Sequence, residues 1–160
     1  GMVSAVNFNA PGQIVIAGAA KSVNKAISLC KKVGARRAIL LPVSAPFHTM
    51  MMRPAADSLT QRLENISFSC PKIPVIHNVH GRFEDNPEGI KAAVLKQIYS
   101  PVLWVQCVQR LLNEGTNVFV ECGAGGVLSG LIRRIDKTIQ AYTLSTSESF
   151  ESALFNISDM

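Results

Sequence analysis

The chain is expected to be an α/β protein whose later part carries a parallel sheet with helices between its strands. Short apolar runs and segments of helical period alternate from about residue 54 onward, which is the pattern of strand-helix-strand connections. Hydrophobic residues make up 48% of the 160 and charged residues 17%, so a sizeable core is available and a disordered chain is excluded. The opening differs from the rest. Its order reads β-β-α-β, as in a small lobe set beside the main sheet.

Taken in order, residues 3–9 and Gln13–Gly18 read as strands, with Ala10-Pro11-Gly12 as the turn between them. Residues 22–33 repeat apolar side chains at helical spacing (Val23, Ala26, Ile27, Cys30, Val33), and Gly34 supplies a C-cap. Residues 38–41 form a short apolar strand closed by Pro42. A helix follows over 54–63 and a strand over 74–79. Two more helices cover 87–98 and 101–113, each with proline near its first turn, where no intrahelical N–H hydrogen bond is lost. Val118–Glu121 is a continuous apolar strand running into Gly123-Ala124-Gly125-Gly126. A helix over Val127–Ile135, a strand over 140–144 and a helix over 148–155 complete the series. Beyond the opening lobe, three strands among so many helices are too few to cover a doubly wound sheet. The chain therefore reads as the later part of something longer.

Composition narrows the functions. Sixteen Lys and Arg against eleven Asp and Glu give a formal charge of +5, an excess that favours an acidic partner. No basic run is interleaved with aromatics, so nucleic acid is not an expected partner. The uncharged run over 38–52 contains Pro42, Pro46 and His48, which excludes a membrane-spanning helix there. The first residues lack a basic stretch followed by an apolar one, and the four cysteines form no CxxC pair. Reduced thiols in a cytoplasmic protein are expected.

His48 is the residue best placed for chemistry. It follows a predicted strand in Leu41-Pro42-Val43-Ser44-Ala45-Pro46-Phe47-His48, and two prolines stiffen its approach. Reactive groups of α/β sheets gather outside the carboxyl ends of strands. The alternative is a solvent-facing loop histidine. No nucleophile elbow of the form G-x-S-x-G accompanies it. In Gly126-Val127-Leu128-Ser129-Gly130 the serine stands one place too late and inside a helix. Cys122 sits at a strand end before a helix N-terminus, where a thiol pKa can fall, so a Cys122–His48 thiol hydrolase is one alternative. Its plainer role is a small apolar residue closing a buried strand. The glycine run lacks the dinucleotide fingerprint, because position 128 is Leu, and it lacks a P-loop ending; a tight strand-to-helix turn is expected. His77 and His80 would point to opposite sides of a strand, so no metal site is expected. Two basic clusters, Lys31-Lys32 with Arg36-Arg37 and Arg133-Arg134 with Lys137, are solvated faces or contacts for an acidic protein or phosphate.

Taken together, these segments resemble the later half of the malonyl-CoA:acyl carrier protein transacylase family of fatty acid synthesis. The matching stretches are Val6-Asn7-Phe8-Asn9-Ala10-Pro11-Gly12-Gln13-Ile14-Val15-Ile16-Ala17-Gly18, the segment from Leu41 to His48, Met52-Arg53-Pro54-Ala55-Ala56, Gln97-Ile98-Tyr99-Ser100-Pro101-Val102-Leu103-Trp104 and Glu121-Cys122-Gly123-Ala124-Gly125-Gly126-Val127-Leu128. They keep the family's order and span nearly the whole chain. The resemblance implies an incomplete ferredoxin-like lobe over residues 1–43 and the C-terminal part of an α/β-hydrolase-like parallel-sheet core over 44–160. It implies ping-pong transfer of malonyl from coenzyme A to the phosphopantetheine thiol of acyl carrier protein through an acyl-serine. His48 matches the base that activates the serine, and Gln97 matches the residue whose main-chain carbonyl orients it. Asn7 and Asn9 match asparagines near the active-site cleft. Phe47 matches a position associated with malonyl rather than methylmalonyl in related polyketide acyltransferases. No cofactor is implied beyond the coenzyme A thioester as substrate. Ala124 departs from a proline common in the family's turn. The elbow serine, an oxyanion-hole glutamine and a carboxylate-binding arginine belong upstream in the family and are not in this sequence. The chain alone is thus expected to be inactive, to need the missing N-terminal portion, and to self-associate through uncovered apolar faces. A further alternative is a non-catalytic module that docks acyl carrier protein through Arg53 and the basic clusters.

Overall fold

Two antiparallel strands, β1 (Val3–Ala10) and β2 (Gln13–Gly18), open the computed structural model, which describes residues 1–158. Pro11 fixes one φ of their turn and Gly12 takes φ 73°, the left-handed value that glycine adopts without cost. Register shifts between Ala5 and Asn7 and between Phe8 and Ala10 bend β1. Helix α1 (Ala20–Lys32) follows and ends on Val33 and Gly34, the latter at φ 92°. It buries no side chain completely.

The strand expected over 38–41 does not form, so the opening is β-β-α. Ile39 and Leu40 are 55% and 69% exposed, and no strand lies beside them among the described residues. Apolar composition makes a strand only where a neighbour completes its ladder. From Pro46 the chain turns through a 3₁₀ turn (Met50–Met52) into α2 (Arg53–Leu63).

The strand expected over 74–79 contracts to β3 (Ile76–His77), which pairs antiparallel with β4 (Arg82–Phe83) in a hairpin. Helix α3 (Pro87–Lys96) starts with Asn86 Oδ1 accepting the Glu88 amide at 2.9 Å. Helix α4 (Trp104–Asn113) begins three residues later than its proline suggests. The reason is long-range. The Val102 amide donates to Val6 O at 2.7 Å and Val102 O accepts from the Phe8 amide at 3.0 Å, which keeps 101–103 extended beside β1.

A parallel pair completes the fold: β5 (Val118–Glu121) and β6 (Gln140–Thr143), joined through α5 (Val127–Ile135) and followed by α6 (Ser147–Ser158). The described strands thus lie in three two-stranded sheets, of which one is parallel. Val108 of α4, Ile132 of α5, and Ile139 and Ala141 at β6 form the buried core, against which Trp104, Leu112, Phe119 and Ile135 pack. No helix is long and apolar enough among the described residues to cross a membrane.

Candidate active site

His48 lies in the loop before α2, and its Nδ1 is 2.9 Å from the main-chain oxygen of Gln97, at the C-cap of α3. A carbonyl oxygen only accepts, so Nδ1 carries the proton and Nε2 keeps the lone pair of the neutral ring. The backbone reinforces the pairing, because the His48 amide donates to Ile98 O at 3.3 Å. His48 also stands at φ 61° and is the one non-glycine residue with positive φ among those described. The loop around it is closed by Thr49, whose Oγ1 donates to Pro46 O at 2.7 Å and accepts from the Met51 amide at 3.2 Å.

Close by, Arg53 Nε donates to Asp57 Oδ1 at 2.9 Å, and its guanidinium stacks 4.9 Å above the Tyr99 ring. The hydrogen bond to Asp57, then the charge of Tyr99, pushes the Arg53 pKa up. This stacking ties the start of α2 to the turn that presents Gln97. Phe47, beside the histidine, is 47% exposed. Asn7 and Asn9 are half-buried on β1, with Asn7 opposite Val102 in a parallel bridge. His48 and Gln97, forty-nine residues apart, are brought together, while no hydrogen bond links Cys122 to His48 among the described residues.

The glycine turn after β5 is exposed and already holds an anion of its own. The Glu121 carboxylate accepts from the Leu128 amide at 3.0 Å and the Ser129 amide at 2.8 Å, at the N-terminus of α5. These amides hold its carboxyl below the usual carboxylate range, the Ser129 amide foremost. Ser129 itself is buried, and its hydroxyl donates to Tyr142 O at 3.2 Å, so it presents no nucleophile to a cleft.

His77 and His80 depart from expectation. The strand stops at His77, and the Gly81 amide returns to His77 O at 2.9 Å, with Gly81 at φ 62°. That turn brings the two rings to the same side, with centroids 5.9 Å apart. Among the described residues no group of three or more His, Cys, Asp or Glu is placed to hold a metal ion.

Sequence reasoning missed Thr49, the left-handed backbone of His48 and the role of Glu121. Thr49 had a local signal, a threonine just ahead of a helical start. A histidine at positive φ has none.

Residues 2–147 match the family described as the acyl transferase domain. A malonyl CoA-acyl carrier protein transacylase of Haemophilus influenzae is 45% identical over 151 residues, 94% of this chain and 48% of the relative. Its counterpart in Bacillus subtilis is 40% identical over 153 residues, 96% of this chain and 48% of the relative. Among solved structures, the malonyl-CoA:acyl carrier protein transacylase of Xanthomonas oryzae pv. oryzae superposes with a TM-score of 0.93 at 45% identity, covering 96% of this chain and 49% of that one. A malonyl-transacylase in complex with a type II PKS acyl-carrier protein gives 0.94 at 43% identity, covering 97% and 50%. The chain spans about half the length of the relatives it matches.

Proposed function

The chain belongs to the acyl transferase domain family, and from that premise we propose that it supplies the base-bearing C-terminal part of an enzyme that moves malonyl from coenzyme A to acyl carrier protein. The observation that carries this reading is the 2.9 Å approach of His48 Nδ1 to the Gln97 carbonyl. It fixes one face of the ring and leaves Nε2 free to take a proton, which is the requirement for a general base. A carbonyl replaces the carboxylate that orients histidine in Ser-His-Asp enzymes.

In the first half-reaction a serine from the remaining part of the enzyme gives its proton to His48 Nε2 and attacks the malonyl thioester carbonyl. The C–S bond breaks, and the coenzyme A sulfur leaves with the proton returned by His48. In the second half the phosphopantetheine thiol gives its proton to the same nitrogen, and the thiolate attacks the acyl ester. The serine oxygen then recovers the proton. Asn7 and Asn9 line the substrate cleft, and the exposed ring of Phe47 crowds an α-methyl branch, which selects malonyl over methylmalonyl. The basic character of the chain suits an acidic carrier protein.

Residues 1–43 are read as an incomplete ferredoxin-like lobe and 44–160 as the later part of an α/β-hydrolase-like core. The β1-β2-α1 order supports the first, and the parallel β5–β6 pair with α5 between its strands supports the second. The exposed run over 38–43 is surface for the remaining half to cover. As the 160 residues hold no G-x-S-x-G, this chain by itself forms no acyl-serine at an elbow.

Intact mass spectrometry after incubation with malonyl-CoA tests the assignment. The expected result is no adduct on the chain alone, and a malonyl adduct on the complementary half once that half is added. An adduct on Cys122 of the isolated chain would overturn it in favour of a thiol enzyme.

A further inference from the structure

A residue other than glycine seldom takes positive φ, and one held there signals surroundings that over-determine its backbone. The surroundings of His48 reduce to a few bonds. Its own amide reaches Ile98 O at a long 3.3 Å. The shortest bond in the loop is the one from Thr49 Oγ1 to Pro46 O, at 2.7 Å, and it closes a ring of backbone around Phe47 and His48. The same hydroxyl accepts the Met51 amide at 3.2 Å, and Thr49 O accepts the Met52 amide at 2.9 Å. Thr49 is 2% exposed, and it and Ser129 are the buried polar residues among those described. Removing its hydroxyl would leave the Pro46 carbonyl and the Met51 amide without these partners.

We propose that Thr49 is a positioning residue for His48: its buried hydroxyl locks the Pro46–Thr49 turn and keeps His48 in the conformation from which Nδ1 meets the Gln97 carbonyl. The inference rests on the reading of His48 as a base oriented by Gln97. Thr49 touches no reacting atom. It acts by denying His48 the right-handed and extended conformations that would swing the ring away from Gln97. The hydroxyl is the operative group, so serine replaces threonine and valine, the closest apolar shape, does not.

The test is nitrogen-resolved NMR of the histidine rings in the isotope-labelled chain, at a pH of about 8, where free imidazoles are neutral. The chain has three histidines, and a His48→Ala spectrum assigns the signal. Wild type and Thr49→Ser are expected to show His48 protonated on Nδ1, and Thr49→Val to lose that signature in favour of Nε2–H. Retention of the Nδ1–H signature in a folded Thr49→Val chain overturns the role of Thr49 while leaving the orientation by Gln97 intact. An Nε2–H ring in wild type overturns that orientation, and the role of Thr49 with it. Should Thr49→Val fail to fold, the unmodified chain still decides. A Thr49 hydroxyl proton protected from exchange with water supports the proposal, and one exchanging as a free hydroxyl overturns it.

Discussion

Residues 46–52 and residues 38–43 are near neighbours in the chain and are held in opposite ways. In the first, His48 Nδ1 and the amides of His48, Met51 and Met52 all have partners within the chain, and Thr49 is sealed beneath them. In the second, the one backbone hydrogen bond among the described residues runs from the Val43 amide to Leu41 O, and Ile39, Leu40 and Val43 lie largely in water. The difference separates two kinds of encoding. The orientation of the histidine is complete within this chain, whereas the apolar run has surface to bury and nothing here to bury it against. Full coverage of such side chains is worth about 1.5–3 kcal/mol each, a strong drive toward a second surface.

The largest effect expected is functional. With the family's complementary half supplied in trans, malonyl transfer should appear, and His48→Ala should then lower its rate by about 10²–10⁴-fold. Full activity in that variant would break the claim that residues 46–52 carry the base. The next effect is on association. Light scattering should find the isolated chain self-associated, and replacing Ile39, Leu40 and Val43 together by serine should shift it toward monomer. A monodisperse monomer before substitution would mean that the run is not adhesive. Stability draws the contrast more finely. Ile132→Ala, in the core between α4 and β6, should cost about 2–4 kcal/mol in urea unfolding. Ile39→Ala, compared at a dilution that keeps the isolated chain monomeric, should stay within about 0.5 kcal/mol. Equal costs there would show that the 38–43 run is packed within the monomer.

The same contrast explains what the sequence made legible. Helices α2, α3 and α5, strands β2 and β5, and the Pro11-Gly12 turn follow from local periodicity, proline and glycine. Residues 38–41 carried as good a strand signal as Val118–Glu121, yet β5 pairs with β6 while the other run pairs with nothing. Ladder formation depends on a neighbour that no window of sequence contains. Likewise Pro101 marked a helix start that β1 overrides by taking up both backbone groups of Val102. His48 was visible from its stiffened loop. Its partner Gln97 was not visible from spacing or periodicity, since a main-chain carbonyl has no residue signature; only the family resemblance pointed there.

The glycine turn after β5 sharpens the comparison at its small end, as a second region satisfied from within. The Glu121 carboxylate takes the amides of Ser129 and Leu128, which lowers its folded-state pKa relative to the unfolded chain. Above its ordinary value the carboxyl is ionised in both states, and the stabilisation is fully present. As pH falls through the lower folded value both states become protonated, and the contribution is lost. Glu121→Gln should therefore be less stable than wild type near neutral pH, with the gap closing as urea midpoints are followed down through the carboxylate range. Salt should narrow the gap as well, because the site is open to solvent. Midpoints that stay parallel for the two proteins at every pH would show that the start of α5 does not depend on this charge. The turn would then belong with residues 38–43, as a segment whose order comes from a surface beyond it.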